Sequence, residues 1–189
     1  AAGKTGIDIN GKPLTLADTT VTVDGTNASV GAAVKAIDAD ITATNTTITT
    51  AGDVVYGISS GKNTTGGSIT LDTVGIGADS AKPIYGINAA GGAGKTLKMT
   101  DTNVFASGGG VIFGEGDVSM TGGSITAGNG GGLYANKGSM TVSGAAIHAS
   151  DTSADIVHAF DGNLKMTDTR VTTGAAGVAD TGIYVSNGN

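Results

Sequence analysis

Seven apolar-polar-apolar triplets recur along this chain, and five residues beyond the end of each stands another apolar side chain. The triplets are Leu14-Thr15-Leu16, Ile41-Thr42-Ala43, Ile69-Thr70-Leu71, Leu97-Lys98-Met99, Val118-Ser119-Met120, Met140-Thr141-Val142 and Leu164-Lys165-Met166. The residues that follow are Val21, Ile48, Ile76, Val104, Ile125, Ile147 and Val171. Triplets start 21 to 28 residues apart, while the internal offset never changes. Self-similarity at such a period marks a stacked repeat whose units cannot bury their apolar face alone. The chain reads as a solenoid, with function expected along its outside.

Alternation within a triplet puts its first and third side chains on one face, as a half-buried strand requires. No window carries the 3.6-residue period of a helix. A third strand per unit is expected at Val34-Lys35-Ala36, Val55-Tyr56-Gly57, Ile84-Tyr85-Gly86, Ile112-Phe113-Gly114, Leu133-Tyr134-Ala135, Val157-His158-Ala159 and Ile183-Tyr184-Val185. Three short strands per repeat make one coil of a parallel β-helix. The expected fold is therefore all-β, a right-handed single-stranded parallel β-helix of about seven coils, because the left-handed form usually runs on a shorter hexapeptide period.

The link from triplet to second strand has constant length and is rich in residues whose side chains bond nearby backbone, as in Thr100-Asp101-Thr102-Asn103 and Thr167-Asp168-Thr169-Arg170. That corner should be uniform in every coil. The other two corners vary in length and carry glycine, as from Ser59 to Ser68 and from Ala89 to Thr96, so protruding loops are expected there.

Glycine supplies 34 of 189 residues, but within a strand pattern these read as turn residues rather than as a disordered linker. Only two prolines occur, which a continuous ladder demands. Seven coils at about 4.8 Å each give a rod of roughly 35 Å. Residues 1–13 precede the repeat and are expected to cap the open end, with 14–189 forming a single repeat domain. Ser186 to Asn189 stop where another coil would begin, so the chain is expected to be a fragment of a longer rod.

Zero cysteines leave stability to the ladder and its core. No stretch reaches the roughly 18 apolar residues of a membrane span. Ala1-Ala2 would suit a freshly cleaved N-terminus, although no signal peptide is present. A net charge of −6 with a single arginine, Arg170, argues against nucleic acid or an anionic membrane as partner, because both need clustered basic residues.

Phrases such as Gly67-Ser68-Ile69-Thr70-Leu71, Gly122-Gly123-Ser124-Ile125-Thr126-Ala127 and Val55-Tyr56-Gly57-Ile58, in that order within each coil, resemble the passenger domains of pertactin-like bacterial autotransporters. The resemblance covers nearly the whole chain from Leu14 onward and rests on core and turn positions. It implies a right-handed β-helix displayed outside a Gram-negative outer membrane, exported by a C-terminal β-barrel that this chain does not contain. Many such passengers are adhesins or self-associating proteins, and some carry inserted protease or esterase domains, none of which is present in this sequence.

Several motifs bear on chemistry. Gly94-Lys95-Thr96 resembles the end of a phosphate-binding loop, but glycine is needed where Ala89 stands, and a strand follows where a helix should open. A polysaccharide-cleaving β-helix, the enzyme alternative, needs paired carboxylates or a calcium-carboxylate cluster with a basic residue. The chain has one glutamate, Glu115, while Asp18, Asp101 and Asp168 share one corner position that fits structural capping. Asp151 with Asp155, or Asp38 with Asp40, are the pairs a loop could assemble, and turn roles are favoured for them. A Ser-His-Asp device would have to use His148 or His158, both expected on the outside as middle residues of strands. Outward threonines raise ice binding, yet Gly77, Phe105 and His148 break one column and Lys98 and Lys165 the other. Strand propensity accounts for these threonines more simply.

The third-strand middle column is the leading candidate: Tyr56, Tyr85, Phe113, Tyr134, His158 and Tyr184, below Lys35. Its rings should stand outside, one coil apart, either supporting one another by offset contact or offering a stripe to a protein or to sugar rings. The functional expectation is a noncatalytic surface-displayed rod, needing no cofactor or metal, that adheres or self-associates through many weak contacts. Its partners would be another copy of itself, a host surface protein or a glycan. Neither nucleic acid nor membrane is expected, except through the absent barrel.

Overall fold

The computed structural model describes residues 4–150, 155–174 and 182–188; Ala1, Ala2, Asp151 and Asn189 lie outside the described residues. The described residues are all-β without helix, and their parallel strands stack into a β-solenoid of about seven turns.

The first ladder runs in register through Leu14, Ile41, Ile69, Leu97, Val118, Met140 and Leu164, the first residues of the seven triplets. The second joins Val21, Ile48, Ile76, Val104, Ile125, Ile147 and Val171. Both agree with the sequence reading residue for residue. Most of these side chains are almost fully buried, and each such burial contributes about 1.5–3 kcal/mol.

The link between these two ladders is uniform for a backbone reason. Two residues after each triplet the chain takes a left-handed turn, at Asp18, Asn45, Thr73, Asp101, Gly122, Gly144 and Asp168, with φ between 44° and 67°. Aspartate, asparagine and glycine are the residues that tolerate this region best. At the next position the hydroxyls of Thr19, Thr46, Thr102 and Thr169 donate to the carbonyls of Ala17, Thr44, Thr100 and Thr167 at 2.7–3.0 Å. Asn45 Nδ2 also donates to Asp18 Oδ1 of the coil below at 2.7 Å. Four of the seven corners are thus closed by a threonine hydroxyl of their own.

The third ladder departs from expectation in three coils. It joins Val34, Ile58, Ile87, Val111, Leu133, Val157 and Ile183. Its strands therefore centre on Ser59, Asn88 and Ile112, three residues after Tyr56 and Tyr85 and one before Phe113. A one-residue slip reverses every side chain, so Phe113 points inward and is fully buried.

A glycine column explains this phase. Gly57, Gly86, Gly110 and Gly132 each stand immediately before the first inward residue of the third strand. A Cβ on them would collide with Ile76, Val104, Ile125 and Ile147 of the second ladder and with the backbone of the next coil. The close approach of the two walls admits no side chain there. Residues 1–13 were expected as a cap; within them Lys4–Asn10 lies parallel on the third ladder, with Ile7 opposite Val34 and Asp8 opposite Lys35, adding one more rung.

Candidate functional site

The expected aromatic column is two separate clusters. The outward column of the third ladder reads Lys35, Ser59, Asn88, Ile112, Tyr134, His158 and Tyr184. Phe113 is thereby removed from the candidate site. Tyr56 and Tyr85 lie opposite each other two residues before the inward Ile58 and Ile87, and they stack with centroids 5.5 Å apart and planes at 28°. Gly109 ends that pair, because a Cβ on it would stand 3.1 Å from the Tyr85 ring.

Tyr134, His158 and Tyr184 form the second cluster. The His158 ring lies 5.2 Å from Tyr134 and 4.8 Å from Tyr184, with Phe160 at 6.2 Å. His158 Nδ1 sits 2.9 Å from Asp155 Oδ2, within hydrogen-bond distance of the carboxyl group. The Tyr134 hydroxyl donates to the Asp155 carbonyl at 3.0 Å. Partial burial and then the Asp155 charge push the Tyr134 phenol above its ordinary value. In this second cluster the rings are tilted by 42–52° to one another, a contact by which neighbouring rings support each other.

The histidines divide the parts of a hydrolytic device between them. Ser150 Oγ meets His148 Nε2 at 3.4 Å while His148 Nδ1 meets Thr172, whereas the carboxylate partner, Asp155, belongs to His158. Asp38 and Asp40 likewise face different partners. The amides of Asn63, Thr64, Thr65 and Gly66 donate to Asp38 at 2.8–3.1 Å, and the Thr64 hydroxyl adds a further bond. These donors, Gly66 foremost, lower its carboxyl from 3.8 to about 2. Asp40 accepts from the Ser68 amide and pairs with Lys95 at 3.4 Å. Among the described residues, no group of three or more histidines or carboxylates is placed to hold a metal ion.

The structure adds two features: a companion to the outward threonine column already read from the sequence, and a cleft. Outside the first ladder, the column Thr15, Thr42, Thr70, Lys98, Ser119, Thr141, Lys165 is flanked by Ala17, Thr44, Asp72, Thr100, Thr121, Ser143, Thr167 in the same register. Together they form a face rich in hydroxyls, with rows about 4.8 Å apart and neighbours in a row roughly 6.6 Å apart. The second feature is a cleft of about 440 Å³ in the variable corners, lined by Lys62, Thr64, Thr65, Ala93 and Lys95. Its lysines lie 33 residues apart in sequence, which hides their proximity.

Comparison with protein-family models, with curated proteins and with solved structures finds no match for this chain.

Proposed function

We propose that this chain is part of a noncatalytic, surface-displayed rod, a right-handed β-helix passenger of the autotransporter kind, which adheres or self-associates through its repeated outer faces. One observation carries the reading: the registered ladders set like side chains one above another, and the hydroxyl face repeats them in two columns over successive coils. Such a surface offers many equivalent weak bonds, which neighbouring rods held on one surface sum into firm attachment. The ring clusters add apolar edges beside it, with Phe160 and Tyr184 exposed.

Sedimentation velocity of the purified chain over a wide concentration range tests the proposal. Self-association predicts reversible growth with concentration, weakened when Thr70→Lys and Thr141→Lys set like charges on the hydroxyl face. A strict monomer at every concentration removes self-association. Retention of that monomer on immobilised host glycoproteins then decides the adhesion arm.

A further inference from the structure

We infer that the corner cleft is a binding site for a small acidic saccharide, its carboxylate taken by Lys62 and Lys95. The inference does not depend on self-association, because the cleft lies in the variable corners and not on the flat faces.

The cleft is built by two loops of successive coils. Residues 62–66 form one wall, and the Asp38 carboxylate holds them by four backbone amides and a hydroxyl. Residues 91–95 form the other, where Lys95 N donates to the Gly92 carbonyl and Gly92 N to the Glu115 carbonyl. The loops touch closely: a Cβ on Gly92 would strike the Thr65 carbonyl, and one on Gly66 the Gly91 carbonyl. The walls are therefore preformed, and a ligand need not bear the cost of ordering them.

The lining chemistry selects the ligand. Both charged side chains that line the cleft are cations, accompanied by two threonine hydroxyls and the Ala93 methyl. Each lysine is steadied by one carboxylate, Lys62 by Glu115 at 2.9 Å and Lys95 by Asp40 at 3.4 Å. An ammonium has three N–H donors, so each retains donors for a ligand. A volume of about 440 Å³ falls inside the roughly 300–1,000 Å³ range of small-molecule sites. An oxyanion beside ring hydroxyls uses ammonium and threonine groups together. Each ammonium keeps N–H donors beyond its own carboxylate for an oxyanion, while the Thr64 and Thr65 hydroxyls, which already donate to Asp38 and to the Gly66 carbonyl, are left to accept from the hydroxyls of a sugar ring.

The test is calorimetric titration of the whole chain with digalacturonate, with a neutral disaccharide and inorganic phosphate in parallel. Saturable digalacturonate binding is expected, weakened about tenfold by Lys62→Ala and by Lys95→Ala, the loss of one charge-assisted bond. Lys12→Ala, at an exposed lysine before the first triplet that does not line the cleft, should leave it unchanged, and thermal melts confirm that each variant is folded. Absence of saturable binding, or equal weakening by Lys12→Ala, overturns the site. Equal affinity for the neutral disaccharide overturns the acidic class, and equal affinity for phosphate overturns the saccharide.

Discussion

The first corner and the third ladder of this solenoid obey the same stacking, but only one of them writes it plainly in sequence. Between first and second ladders the offset is constant, the left-handed residue sits at one position in every coil, and threonine hydroxyls close four of the seven corners. Before and after the third ladder the corners change length. There the phase of the strand is set by contact with the second ladder, through glycines that allow two walls to approach. A corner that satisfies itself locally is legible in a local pattern, whereas one defined by distant packing is not.

The sharpest way to break this contrast is at residues 112 and 113. Phe113→Ala should cost about 3–5 kcal/mol, the usual loss for a buried phenylalanine, while Ile112→Ser, on the half-buried outer side, should cost far less. Chemical denaturation of both variants decides it: equal losses, or a greater one at Ile112, would return Phe113 to the outside and shift the ladder.

Gly110→Ala probes the cause of that phase. The new methyl meets Ile125 and the Gly132 carbonyl, and overpacking of this kind costs about 1–3 kcal/mol. Gly182→Ala, where a Cβ would meet nothing within 4 Å, should have no such effect on the denaturation midpoint. If both variants unfold alike, the glycine column does not set the register.

The smallest effect is expected in the loop that Asp38 holds. Its folded-state carboxyl is depressed to about 2 from 3.8, so its stabilisation is fully present above 3.8 and fades as pH falls toward 2. Melting curves between pH 5 and pH 2 should show this loss in the native chain and a smaller one in Asp38→Asn. The variant should also exchange the amides of Asn63 to Gly66 faster at neutral pH. Superimposable pH profiles would detach the loop from Asp38.

The orientation of the third-strand rings is legible from sequence where neighbouring coils agree in length. Tyr134, His158 and Tyr184 were placed outward correctly because Leu133-Tyr134-Ala135 and its successors keep an apolar or small residue on both sides. Tyr56, Tyr85 and Phe113 read as members of the same column because in these three units an aromatic residue stands between an apolar residue and a glycine. The better signal was present as well, a glycine directly before an apolar residue at Gly57-Ile58, Gly86-Ile87 and Gly110-Val111. Nothing local distinguishes the two patterns, since only the second-ladder side chains reveal which glycine must lack a Cβ. Lys62 and Lys95 could not be paired from sequence at all.

The sequence by itself determined the all-β repeat, the number of coils, and the register of the first two ladders, because strand alternation and left-handed turns are properties of a few adjacent residues. Only the tertiary structure decided which face Phe113 shows, where the rings cluster and how two corner loops enclose a cleft. Those depend on walls brought within contact by stacking, across separations that no local pattern measures.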